Sequence, residues 1–178
     1  MRENENSINK IELYKIQNML EWLKTKFYLD SISTKSKNRM VHRGEVYLCN
    51  FGIGVGSEMQ KLRPCVIIQG NVGNINSSNV IVAPITHTEK LIPSIAQIDT
   101  QLNLKDGTII LNGYVNLSNI QTVSKARLGD FITKLNNQDI IKINKSILIS
   151  LGLLKEFNEL NYKIEKQKKY IEKLKTDL

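Results

Sequence analysis

The stretches Gly-Glu-Val-Tyr-Leu-Cys-Asn-Phe (residues 44–51), Arg-Pro-Cys-Val-Ile-Ile-Gln-Gly (63–70), Asn-Val-Ile-Val-Ala-Pro-Ile-Thr (79–86) and Gly-Thr-Ile-Ile-Leu-Asn-Gly-Tyr-Val-Asn-Leu (107–117) decide the fold class. Each is a short run rich in Val, Ile, Tyr and Leu, bounded by Gly, Asn, Ser or Asp. β-Branched and aromatic side chains suit a pleated surface, and small polar residues between them suit turns. No helical segment alternates with every strand, so a parallel doubly wound sheet is not expected. The pattern predicts a compact, mostly antiparallel barrel or half-barrel.

Outward from this core the period changes. Leu13, Ile16, Leu20, Leu23 and Phe27 recur at alternating steps of three and four, which predicts a helix from Ser7, a suitable N-cap, to about Tyr28. Asp30 to Asn38, polar and rich in Ser and Lys, reads as a linker. Helical spacing returns at 124–128 and 138–151, with Ile140, Ile147, Leu148 and Leu151 as the stripe and Gly152 as the stop. Leu153, Phe157, Leu160, Ile164, Gln167, Ile171, Leu174 and Leu178 then fall on alternating heptad positions. That row fits either an amphipathic helix lying on the protein's own body or a coiled-coil seam with Gln167 setting register. Lys163, Lys168 and Lys175 flank the row and disfavour a parallel pair of identical helices. The expected arrangement is a hairpin of the two terminal helices, within one chain or across a dimer. The organisation expected is a helical extension and linker (1–41), a barrel domain (42–153) and a C-terminal amphipathic helix (154–178).

A chain of 178 residues with 41% apolar and 24% charged residues is neither disordered nor membrane-embedded in type. The net charge of +8 favours polyanionic partners, but it is spread along the chain without a basic tail. Cys49 and Cys65 lie inside apolar runs with no CxxC spacing and read as two reduced core thiols. The first ten residues lack a basic region followed by an apolar stretch, and no apolar run approaches the roughly 20 residues that span a bilayer. A cytoplasmic protein is expected.

Several blocks then fall in a telling order: Arg43-Gly44-Glu45-Val46-Tyr47-Leu48, Gly56-Ser57-Glu58, Arg63-Pro64-Cys65-Val66-Ile67-Ile68, Val80-Ile81-Val82-Ala83-Pro84-Ile85-Thr86, Ile120 to Leu128 and Ser146 to Leu153. In this order and spacing residues 42–153 resemble the MazF/PemK toxins of toxin–antitoxin pairs. Met40 lies where members of that family usually begin. The resemblance implies an α+β fold, an SH3-like antiparallel β-barrel of the MazF/PemK/CcdB kind with added helices. It implies a homodimer, sequence-specific and metal-independent cleavage of single-stranded RNA without a cofactor, and a partner antitoxin that occupies the RNA groove. It also implies that Arg63 and Thr86 carry the chemistry, with Ser57 and Glu58 beside them. Two positions depart from the pattern. Met59 stands where the family usually has Gln, and Asn119-Ile120-Gln121-Thr122 where it commonly reads Gln-Ile-Arg-Thr. Both changes remove hydrogen-bonding or charged groups near the groove or the dimer interface.

The chemistry suits these residue types. Cutting RNA without a metal requires deprotonation of the 2′-OH, stabilisation of charge on the phosphorus oxygens and protonation of the leaving oxygen. A guanidinium fork matches phosphate oxygens, so Arg63 is assigned to charge stabilisation, and the Thr86 hydroxyl can donate to the same phosphate. Arginine is a poor base, which leaves Glu58 as the better intrinsic base if it lies within reach. On bland readings Arg63 is a strand-entrance charge held extended by Pro64, Thr86 an ordinary strand residue and His87 a solvated loop residue. Lys61, Lys90 and Arg43 either decorate the surface or, with Ser57 and His87, guide the RNA backbone. Gly52-Ile53-Gly54-Val55-Gly56 lacks the Lys-Ser/Thr ending of a phosphate loop, so nucleotide binding is not expected. The alternative function is a non-cleaving nucleic-acid-binding or gyrase-poisoning protein on the same fold, as in the CcdB toxins. The extensions, which the family domain does not need, could instead cover the groove in cis.

Overall fold

Val46 and Tyr47 are neighbours in sequence, yet they enter two different hydrophobic clusters, and this explains the continuous apolar runs. A computed structural model describes residues 12–87, 92–99 and 113–176. In it a seven-stranded sheet is formed by β1 (Glu45–Asn50), β2 (Leu62–Ile67), β3 (Asn79–Thr86), β4 (Ile95–Ile98), β5 (Gly113–Asn116), β6 (Gln121–Ser124) and β7 (Leu128–Lys134). Val46, Val66, Ala83 and Val115 pack to one side, while Tyr47, Cys65, Ile67 and Val82 pack to the other. Because both faces are covered, the strands lack the clean apolar–polar alternation of a half-exposed sheet. Every pairing is antiparallel, in the order β4-β5-β3-β2-β1-β7, with β6 beside the first half of β3.

The antiparallel, helix-flanked fold matches expectation, but among the described residues the sheet does not close into a barrel: β4 and β7 are its two edges and do not pair with each other. Helix α4 (Asn137–Ser150) packs on β4. The Asn136 side chain caps α4 by accepting the Asp139 N–H at 2.8 Å. The fully buried Asp139 carboxylate accepts the Asp99 N–H at 3.0 Å, tying α4 to the end of β4. Ile143, 1% exposed, inserts into the cluster with Leu117 and Leu135. Gly152, at φ +72°, ends the helix as its position predicts. The Leu153 N–H reaches the Leu148 carbonyl at 2.8 Å and the Gly152 N–H that of Ile149 at 3.1 Å, a Schellman arrangement.

The terminal helices differ from expectation. Helix α1 (Leu13–Ser31) runs on through the start of the expected linker, and α2 (Ser33–Ser36) adds another turn. The serines permit this because their hydroxyls bond back to the preceding turn, Ser31 to the Tyr28 carbonyl at 2.7 Å and Ser36 to that of Ile32 at 3.0 Å. Residues beyond α2 are pinned to the sheet. Arg39 donates to the Leu128 and Gly129 carbonyls and stacks 4.9 Å from the Tyr47 ring. The buried Lys125 ammonium joins the Lys37 carbonyl (3.2 Å) to that of Asn74 (2.7 Å) in the short helix α3 (Asn71–Asn76). Helix α1 turns the half-buried Trp22, Thr25 and Leu29 inward, while the expected stripe points out, with Leu13 70% and Phe27 66% exposed. Helix α5 (Leu154–Thr176) follows directly on α4 and is exposed from Lys155 to its end. The intrachain hairpin and the helix lying on its own body are therefore both corrected. The expected Ser7 cap, the strand residues 107–112, Lys90 and Leu178 lie outside the described residues.

Candidate active site

Cys65 on β2 pairs with Pro84 on β3. Arg63 and Thr86 each lie two residues beyond that pair, toward the same ends of their strands. Here a cavity of about 510 Å³ opens, lined by Met59, Lys61, Arg63, Thr86, His87 and Asn116 above a floor of Leu48, Leu62, Pro64, Ile85 and Ile95. A larger hollow of about 710 Å³ runs along the solvent side of α5 and includes no strand residue. Among the described residues, neither α1 nor α5 contributes to the lining of the 510 Å³ cavity.

Arg63 is half-buried. Its Nε donates to the Gln60 carbonyl at 2.9 Å and its Nη1 approaches the Met59 sulfur at 3.4 Å. Among the described residues no carboxylate forms an ion pair with it. Thr86 is half-buried and held in place by pairing with Tyr114 of β5, and His87 beside it is exposed. Lys61 lines the cavity from a left-handed backbone position, φ +69°, uncommon for a residue with a side chain. Its N–H donates to the Gly52 carbonyl at 2.6 Å and its carbonyl accepts the Phe51 N–H at 3.0 Å, which closes the loop 51–61 at its neck.

The other sequence-predicted residues lie elsewhere. Glu58 is exposed on that loop, its carboxylate turned to the Val55 N–H at 2.9 Å, and it does not line the cavity; nor does the exposed Ser57. Arg43 stands at the opposite end of the β1–β2 ladder. Its guanidinium donates to Asn144 at 2.6 Å and its N–H to Asn71 at 2.8 Å, and burial lowers its pKa. Of the two departures from the family pattern, Met59 touches Arg63, whereas Gln121 lies on β6 opposite Val82 and outside the cavity. Asn116 was not anticipated. It reaches the cavity through its pairing with Ile95, and its side chain accepts the Ser118 N–H at 3.1 Å. Cys49 and Cys65 are both free and fully buried, and the Cys49 contact together with burial pushes the Cys65 thiol up. Neither is an accessible nucleophile.

A guanidinium fork and a threonine hydroxyl lining one partly apolar cavity can grip a phosphodiester and leave an adjoining base against apolar surface. Comparison with known proteins agrees with that chemistry. Residues 42–151 match the family model described as PemK-like, MazF-like toxin of type II toxin-antitoxin system. The Endoribonuclease MazF of Staphylococcus saprophyticus is 38% identical over 117 residues, covering 64% of this chain and 93% of that protein. Among solved structures, an endoribonuclease in complex with its cognate antitoxin from Mycobacterial species is 30% identical, with a TM-score of 0.53 over 64% of this chain and 96% of that one. An endoribonuclease from Mycobacterial species is 28% identical, with a TM-score of 0.52 over 65% and 94%. The chain thus belongs to the PemK-like, MazF-like toxin family of type II toxin–antitoxin systems. No helix among the described residues is long and apolar enough to cross a membrane.

Proposed function

We propose that this protein is the toxin of a toxin–antitoxin pair and cuts single-stranded RNA, sequence-specifically and without a metal, through attack of a 2′-OH on the adjacent phosphate. The observation that carries this reading is that Arg63 and Thr86 line one cavity. Arg63 binds the scissile phosphate and stabilises charge on its oxygens, and Thr86 donates a second hydrogen bond. Lys61 and His87 guide the backbone at the cavity wall, with Ser57 on the neighbouring loop. Glu58 keeps its role as candidate base only if it leaves the Val55 N–H. Arg43 is assigned to the far end of the sheet rather than to RNA.

The catalytic unit is residues 42–153, with 1–41 and 154–178 as appended segments, and the site of action is the cytoplasm. The mycobacterial relative bound to its cognate antitoxin supports a partner antitoxin here as well. The protein acts as a homodimer, and the exposed stripes of α1 and α5 are apolar surface available to a second copy. Sedimentation of the full chain at twice its 20.3 kDa mass supports the dimer, and a monomer mass refutes it. The growth test is direct. Expression of the wild type arrests cells and Arg63→Ala relieves the arrest; arrest by a folded Arg63→Ala variant would sink the proposal.

A further inference from the structure

Trp22, the single tryptophan of the chain, lies on α1, outside residues 42–151 that match the family, yet it touches the loop that serves Arg63. Its ring rests directly on the backbone of Gly52. A Cβ built on Gly52 would come within 2.3 Å of the Trp22 ring, and Gly52 has φ +82°, so only glycine fits beneath the indole. On the other side the Arg127 guanidinium stands 5.2 Å from the same ring. Arg127 also donates to the Asn50 and Phe51 carbonyls at 3.0 and 3.1 Å. Gly52 and Phe51 are in turn bonded to Lys61 across the loop neck. Met59 and Gln60, the two residues that contact Arg63, lie just inside that neck.

We infer that α1 acts as a clamp on the site loop, with Trp22 as a positioning residue that, through Gly52 and Arg127, fixes the loop conformation holding the Arg63 guanidinium. The appended helix thereby supplies order to the site from the side away from the RNA cavity. This rests on the reading of Arg63 as the phosphate-binding residue. The clamp contributes geometry and touches no reacting atom, so its loss acts on the chemical step more than on the RNA affinity of the cavity. Small misplacements of a reacting group cost up to about 100-fold in rate.

The test uses the full-length chain and a defined single-stranded RNA. Trp22→Ala is expected to lower kcat by about 10- to 100-fold while KM changes by less than about threefold, and Trp22→Phe to restore most of the rate. Amides of residues 52–61 should exchange faster with deuterium in Trp22→Ala, while those of α4 keep their protection. Wild-type kcat together with unchanged loop exchange overturns the clamp. If Trp22→Ala also loses protection in α4, it has unfolded. The wild type then decides, because Trp22 emission should shift as a fluorescently labelled 2′-deoxy oligonucleotide saturates the protein. Emission that stays flat while the label's anisotropy rises overturns the inference. Arg63→Ala run alongside separates the two ideas. Full cleavage by that variant defeats the site assignment, whereas an inactive Arg63→Ala beside a fully active Trp22→Ala defeats only the clamp.

Discussion

Arg63 and Thr86, each half-buried, line one cavity from two adjacent antiparallel strands, both two residues beyond the Cys65–Pro84 pair. Strand pairing holds each backbone, Arg63 beside Cys49 of β1 and Thr86 beside Tyr114 of β5, which limits how far either can move from the phosphate that the proposed function places between them. Arg63→Ala is therefore expected to lower kcat by about 10²- to 10³-fold, as the loss of one preorganised donor to a developing oxyanion does. Arg63→Lys should recover little, because a point charge lacks the two-pronged fork. Single-turnover cleavage rates check both, and a lysine variant at wild-type rate would reduce Arg63 to simple charge.

The Glu58 carboxylate is occupied by the Val55 N–H. Glutamine keeps an acceptor for that bond, so Glu58→Gln should change kcat by less than about tenfold if the residue only shapes the loop. A general base contributes about 10²- to 10⁴-fold. A loss in that range, with disappearance of the acidic limb of the pH–rate profile, would make Glu58 the base.

Two glycines with similar backbones predict different costs. Gly152 has φ +72° with open space around it, whereas Gly52 has φ +82° with the Trp22 ring in the way. Gly152→Ala should cost about 1 kcal/mol of stability, the penalty of the left-handed conformation alone. Gly52→Ala adds overpacking of about 1–3 kcal/mol. Urea unfolding of the two variants should rank them in that order; equal midpoints would mean that Trp22 yields freely.

Glu45 and Tyr47 predict opposite pH limbs. Burial alone would raise the Glu45 carboxyl, but hydrogen bonds from the His42 N–H, the Tyr47 hydroxyl and the His42 ring hold its pKa below the ordinary 4.5. Its contribution to stability is therefore present above pH 4.5 and lost as pH falls through the lower folded value. Burial and the neighbouring Glu45 carboxylate push the Tyr47 phenol from 10.0 up to about 12. That contribution is present below pH 10.0 and lost as pH rises through about 12. Thermal melts across pH should show a flatter acid limb in Glu45→Gln and a flatter alkaline limb in Tyr47→Phe.

The sequence and the structure agree where side-chain chemistry is local and differ where long-range packing decides. The strand runs and the stop at Gly152 are legible because β-branching and a missing Cβ act on their own backbone. The α1 stripe was misleading. The period of Leu13 to Phe27 marks a helix correctly, but the face that meets the sheet carries Trp22, chosen by the fit of one ring over Gly52. Serine-rich composition likewise suggested a linker where the hydroxyls of Ser31 and Ser36 bond back into helical turns. At the site, the motif order pointed to Arg63 and Thr86, which line one cavity. It could not reveal that Met59 contacts the guanidinium while Gln121 lies outside the cavity, since that depends on how the 51–61 loop folds back.

The central claim is tested most directly by incubating the purified full-length protein with a long single-stranded RNA in excess EDTA and determining the sites and end groups of the products. Cleavage at a restricted set of sequences is expected, leaving 2′,3′-cyclic phosphate and 5′-hydroxyl ends, with Arg63→Ala inactive under the same conditions. RNA that stays intact, or is cut only when a divalent cation is restored, would contradict the account.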